Sequence, residues 1–411
     1  MENKVKLIKL DNGLTLISDH RPWYTSASVV AYVGVGVKHE QEARVGISHL
    51  LEHVIFKGTK NYPTFKDITG NIEGIGGRLD AFTSYDYSAY YAKVPRSQAE
   101  VALQMILDLV YNPLLLPEDI DREKTVVYNE LRLRYDDPEE YSDLMLAQNL
   151  WVKGPLSREV GGTPETVSSI TQQDIIELHQ YFYRNPNITI VASGAYEEYN
   201  LINMLNKIPA QQFDLPFKDM NSEFQVPQRK SITRDTSESY LRLGYPLFNR
   251  YSPLKTSAAV FNVLLGVGGS SRLFEEIREK RSLTYDIGSS LLLLKEAGEL
   301  SIALSTHPDK VEEALGVILK EVDNLREGRV SEKEVARSKA YIKGSFLLSL
   351  EDSLRRAFFW GEGYLLDGVI KDVDEEIKNY ESVDFYSEIV HLKPYFAPER
   401  CCIVSVVPRN T

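Results

Sequence analysis

Apolar and polar residues alternate from Lys6 to Ser18 on both sides of Asp11-Asn12-Gly13, so the chain is expected to open with two short strands joined by a tight turn. A second run of strand character covers Ala27 to Val37 and is broken by Gly34 and Gly36. The period then changes. Ile47, Leu50, Leu51, Val54 and Ile55 supply an apolar surface between Gly46 and Gly58, which predicts a helix with a face to bury. Phe65 to Ile75 reads as another helix, ended by Gly76-Gly77, and the stretch Arg78 to Val94, rich in aromatic and hydroxyl residues, reads as a strand hairpin. Helical spacing returns at Ser97 to Val110, at about Glu118 to Tyr135, at Pro138 to Val152 and at Thr171 to Phe182, before a strand at Ile188 to Ala192.

From Pro209 to Arg229 the pattern turns irregular and polar, which divides the chain into 1–210, a linker at 211–229, and 230–411. The second part replays the first. Pro95 to Val110 resembles Pro308 to Val322, and the helix carrying Ile120, Arg122 and Lys124 answers one carrying Val335, Arg337 and Lys339. The expected fold is therefore α+β: two homologous α/β-sandwich-type domains, each an antiparallel-rich sheet covered by helices, related by internal duplication.

Composition narrows the class. A chain of 411 residues with 43% hydrophobic content can build two proper cores. The formal charge of −12 argues against a nucleic-acid partner. No uninterrupted apolar run reaches membrane length, and Met1 to Lys6 alternates instead of leading into a signal-type segment, so a cytoplasmic location with no membrane association is expected. Cys401 and Cys402 are adjacent in an apolar stretch, which reads as strand core and not as a disulfide or a zinc knuckle.

The candidate chemistry lies in the helix between Gly46 and Gly58. His49 and His53 stand four apart, so their imidazoles project from one helix face about a turn apart and can ligate one small metal ion. Glu52 adjoins the second histidine, where a carboxylate can lie beside a metal and take a proton from water. Two histidines alone would more often be a satisfied structural pair; the added glutamate shifts the balance to metal. A hydrolytic zinc needs three protein ligands and an open position. Glu130 is the expected third ligand, with Glu123, seven residues earlier on the same helix face, orienting a histidine. Without the histidine motif both would read as surface glutamates. In the repeat alignment they face Ser345 and Ser338, so only the first copy carries the motif. The glycine-rich segment Gly266 to Phe274 has no P-loop lysine and no dinucleotide fingerprint, and Arg278 and Tyr285 would by themselves be plain surface residues.

Together these residues resemble the inverted-motif zinc peptidases of the pitrilysin and mitochondrial processing peptidase family, in its short, half-length form. The resemblance covers essentially the whole chain. It rests on His49-Leu50-Leu51-Glu52-His53 followed by Phe56-Lys57-Gly58-Thr59, on Glu123 and Glu130 downstream, on Gly77 to Ser84, and on Arg278 with Tyr285. It implies one Zn2+ per subunit on His49, His53 and Glu130, with Glu52 as general base and Glu123 behind a ligand. It also implies that Asp80, Ala81, Phe82 and Thr83 lie on an edge strand that takes a peptide substrate as an added strand, and that Arg278 and Tyr285 contact the substrate carbonyl. Asp80 stands where relatives often carry asparagine, a change that favours basic peptides. The chain corresponds to half of the family's clamshell, and because it carries both sets of residues the resemblance implies a homodimer with composite active sites, acting on small or unfolded peptides. Partner-dependent processing subunits and catalytically silent assembly subunits share this fold and are the alternatives.

Overall fold

The opening alternation forms a hairpin in which β1 (Lys6–Lys9) runs antiparallel to β2 (Thr15–His20), with Lys6 opposite Ser18. Gly13 supplies the left-handed φ of 89° in the turn between them. The computed structural model describes residues 5–212, 222–224 and 228–409, so the expected linker at 211–229 lies largely outside the described residues.

β3 (Ser26–Val33) stops short of the expected Val37. Beyond Gly34 the chain passes tightly against the turn at Ser84 to Tyr87, where a Cβ on Gly36 would sit 2.3 Å from the Ser84 carbonyl. The helices α1 (Ile47–Ile55) and α2 (Phe65–Glu73) precede the hairpin of β4 (Arg78–Thr83) and β5 (Ser88–Pro95). Then come α3 (Ala99–Tyr111), α4 (Pro117–Asp136) and α5 (Pro138–Leu150). α5 ends two residues before the expected Val152, because Trp151 turns extended and its indole N–H donates to Glu299 at 2.7 Å. The remaining strands are β6 (Trp151–Lys153), β7 (Ile188–Gly194), β8 (Glu223–Phe224), β9 (Arg229–Arg234), β10 (Ser239–Leu247), β11 (Ile287–Leu293), β12 (Gly298–Thr306) and β13 (Cys402–Pro408).

The chain packs as two compact units. The first comprises Met1–Leu131, Glu159–Lys218 and Leu347–Lys371; the second comprises Arg132–Arg158, Asp219–Phe346 and Asp372–Thr411. In the first, a six-stranded sheet has the order β1-β2-β7-β3-β5-β4, with β2 and β7 parallel and the other pairs antiparallel. β7 is buried along its whole length and β3 along all but its first residue, so both faces of the sheet centre must be covered. α3 covers one face, and the helix Ser353–Asp367 covers β3 and β7. The latter approaches closely enough that a Cβ on Gly361 would meet the Tyr32 ring at 2.1 Å. A buried ion pair anchors it: Arg356 donates to both carboxylate oxygens of Asp19 on β2, at 2.6 and 3.0 Å.

The second unit has a five-stranded sheet in the order β11-β12-β10-β13-β9. Here β9 and β13 are parallel and the other pairs antiparallel. Substituting β4, β5, β3, β7 and β2 reproduces the order and pairing of the first sheet, so one topology is used twice. Phe261 stacks on Phe396 at 4.0 Å in its core, and Cys401 and Cys402 are both free and buried. α5 packs on β10 and β13, tied down by the pairing of Asp143 with Arg242. Each sheet is thus covered on one face by a helix that belongs, in chain order, to the other copy of the repeat. The sequence division at 210 and 230 remains a proposal about the repeat; packing divides the chain differently.

Candidate metal centre and substrate edge

The start of α1 is fixed before any histidine is reached. Gly46, with φ of 95°, turns the chain into the helix, and Glu40, 3% exposed, accepts from the Gly46 and Ser48 amides at 2.8 Å each. A carboxylate there satisfies free amides and complements the positive end of the helix. Gly162 lies against the same corner, where a Cβ would meet the Val45 carbonyl at 2.3 Å.

One turn further on, the imidazoles of His49 and His53 face each other, with Nε2 atoms 3.3 Å apart. α4 runs alongside and brings Glu130 Oε2 to 3.6 Å from His53 Nε2 and 3.9 Å from His49 Nε2. Three donor atoms from two helices therefore lie within 4.8 Å of one another. Bonds of zinc length in a tetrahedral arrangement put ligand atoms about 3.3–3.5 Å apart. The donor set fits that ion with shifts of a few tenths of an ångström, and two nitrogens with one carboxylate oxygen leave a fourth position to solvent or substrate.

Glu123 lies two turns earlier on α4 and is only 2% exposed. Its Oε2 is 3.3 Å from His53 Nδ1, so the ring donates there and presents Nε2 as a lone pair. Its other oxygen, Oε1, pairs with Lys57 Nζ at 2.9 Å, which gives the buried carboxylate a full counter-charge.

Glu52 is half-buried beside this cluster. Burial pushes its carboxyl up to about 7, helped by the charges of Asp80 and Glu130 and opposed by a hydrogen bond from Thr83 Oγ1 at 2.6 Å. A divalent cation on the neighbouring donors would pull it back down. A carboxyl group beside a metal-bound water can take its proton and return it.

Among the described residues β4 is the edge strand of its sheet, paired with β5 and with no other strand. The tip of the hairpin is pinned by Lys38, which pairs with buried Asp86 at 2.6 Å. Asp80 accepts from the Tyr91 hydroxyl at 3.2 Å and from the Ala81 amide at 2.9 Å. A cleft of about 520 Å³ opens at the β4 edge, lined by Arg78, Asp80 and Tyr91 together with Thr69 of α2 and Arg355. Asp80, Ala81, Phe82 and Thr83 all lie on this strand, although the Thr83 hydroxyl turns to Glu52.

Arg278 and Tyr285 belong to the second unit. Phe274–Glu279 forms a turn of π-helix, and the Arg278 guanidinium lies 4.6 Å from the ring centroids of both Phe274 and Tyr285. Tyr285 is 83% exposed. The two residues thus touch, through a cation–π contact.

Sequence reasoning did not single out Glu40 and gave no role to Lys57 or Phe274. Lys57 follows His53 by four positions, the same spacing that pairs the histidines, and that signal was available. Phe274 precedes Arg278 by the same four positions, whereas Glu40 reaches amides six and eight residues on, a spacing that no helix period marks.

The chain matches the family described as Insulinase (Peptidase family M16) over residues 15–164 and the Peptidase M16 inactive domain over residues 169–342. It belongs to the M16 peptidase family. An uncharacterized zinc protease of Mycobacterium leprae is 30% identical to this M16 chain over 380 residues, covering 91% of this chain and 85% of the relative. The uncharacterized zinc protease YmxG of Bacillus subtilis is 28% identical over 92% of this chain and 93% of its own length. The crystal structure of a protease from Helicobacter pylori superposes with a TM-score of 0.92 at 21% identity, covering 99% of this chain and all of that one, and so shares the fold. No described helix of the M16 chain is long and apolar enough to cross a membrane.

Proposed function

We propose that this M16 chain is a zinc-dependent endopeptidase that hydrolyses small or unfolded peptides. The observation that carries the reading is the convergence of His49, His53 and Glu130 from two helices, with Glu52 beside them. Relatives along almost the whole chain bear the name zinc protease, which supports the same reading.

His49, His53 and Glu130 would hold the zinc, which when bound supplies a Lewis acid that polarises a carbonyl and lowers the pKa of water. Glu123 orients His53 so that Nε2 faces the ion. Glu52 removes a proton from the attacking water and returns it to the departing amine. The peptide lies along β4 as an added strand, its backbone pairing with the free edge over Asp80 to Thr83. Arg278 and Tyr285 donate to the substrate carbonyl oxygen as negative charge develops on it. We read the active species as a homodimer in which each site combines zinc residues of one subunit with Arg278 and Tyr285 of the other, because the chain carries both sets.

The test is purified protein assayed for zinc content and for cleavage of a quenched fluorogenic peptide drawn from a mixed library. Wild type is expected to hold one zinc per chain and to lose cleavage with a chelator. Glu52→Gln is expected to keep the zinc and lose turnover by about 10²-fold or more. Turnover equal to wild type in Glu52→Gln would overturn the assignment of the base.

A further inference from the structure

Thr83 is the last residue of β4, the strand to which the peptidase reading assigns the substrate. Side chains alternate across a sheet, so Thr83 and Phe82 project to opposite faces. Phe82 packs its ring against Tyr87 and Phe358, 5.8 and 5.7 Å between centroids. Thr83 points the other way, towards α1, where Oγ1 donates to Glu52 Oε2 at 2.6 Å.

The hydroxyl is held from behind as well. Ser88, its register partner on β5, places Oγ 3.4 Å from Thr83 Oγ1 and itself donates to the Val35 carbonyl at 3.0 Å. The Thr83 proton therefore goes to the carboxylate. One oxygen of Glu52 is occupied and oriented, and Oε1 is left for the proton that moves during hydrolysis.

We propose that the Thr83 hydroxyl positions Glu52 and does not contact the substrate, so that the edge strand whose backbone receives the peptide also sets the general base. The inference rests on the zinc-peptidase reading and deepens it. The contact is formed without a peptide, so Glu52 is already aligned when the substrate arrives on β4.

The experiment compares Thr83→Val, which keeps shape and loses the hydroxyl, with Thr83→Ser, which keeps the hydroxyl, in the zinc-loaded full chain on the fluorogenic peptide. The expected result for Thr83→Val is a fall in kcat on the order of tenfold to a hundredfold, the worth of a hydrogen bond to a charged group. KM stays within about twofold and zinc remains at one per chain, while Thr83→Ser recovers most of kcat. Thr83→Ala must reproduce the Val result, which guards against a packing defect. In a Glu52→Gln background Thr83→Val is expected to add no further loss, and the same cycle read by thermal unfolding of the metal-free protein is expected to show coupling between the two residues. A Thr83→Val enzyme with raised KM and unchanged kcat would overturn the proposal in favour of a substrate contact. So would one equal to wild type. If Glu52→Gln itself turns over like wild type, the base assignment falls and this proposal falls with it, a result that the Thr83 variants alone cannot mimic.

Discussion

Residue by residue, the candidate centre is a set of charges that stabilise one another only in company. Glu123 is a buried carboxylate whose burial is tolerable because Lys57 and His53 both face it. Replacing Lys57 with methionine keeps the apolar stem and removes the counter-charge. Zinc affinity, measured by chelator competition, is expected to weaken about tenfold to a hundredfold, with Lys57→Arg close to wild type. Unchanged affinity in Lys57→Met would show that Glu123 needs no such support. Legibility at this scale followed geometry. His49, Glu52 and His53 were readable because one helix turn brings them together, whereas Glu130 and Glu123 stand 77 and 70 residues from His53 and were reached only through zinc's need of a third ligand, supported by the family's spacing. Thr83 was legible as part of a strand but not in its direction, since the alternation of β4 fixes opposite faces without saying which one meets α1.

At the scale of elements, the covering of the first sheet depends on a helix that arrives from Ser353–Asp367. Asp19 is fully buried, and burial alone would raise its carboxyl; the hydrogen bond and charge of Arg356 outweigh that, with help from Ser193 and Arg21, and hold it below the usual range. A depressed folded-state value contributes stability that is complete above the ordinary carboxylate range and is lost as pH falls through the folded value. Arg356→Met is therefore expected to destabilise the first unit by about 3 kcal/mol near neutral pH. Asp19→Asn is expected to flatten the acid limb of a thermal-unfolding series run downward from about pH 6. An acid limb as steep in Asp19→Asn as in wild type would remove Asp19 from this role. Hairpins and helices were legible here because local alternation and period set them. The shortened β3 and the extended Trp151 were not, because a close backbone approach at Gly36 and an indole bond to Glu299 override local pattern.

For the whole molecule, the repeat seen in the sequence returns as the same strand order in both sheets, yet the covering helices are exchanged between the copies. The sequence marks Pro138 to Val152 as helical without saying which sheet it covers, and no element is read from it at Ser353–Asp367. Expressed alone, 1–210 lacks the helix over β3 and β7 and leaves that face bare, so it is expected to be insoluble or unfolded by circular dichroism and to be recovered by co-expression with 211–411. A soluble, cooperatively folded 1–210 fragment would contradict the exchanged packing. The central claim is that one cation is shared by two early imidazoles and a later carboxylate. Anomalous diffraction at the zinc edge, from crystals of wild type and of Glu130→Ala grown with zinc, tests it most directly. One peak per chain is expected within bonding distance, about 2.0–2.2 Å, of His49 Nε2, His53 Nε2 and a Glu130 carboxylate oxygen, with its loss or marked weakening in the variant. A peak elsewhere, or a full-strength peak on the histidines without Glu130, would contradict it.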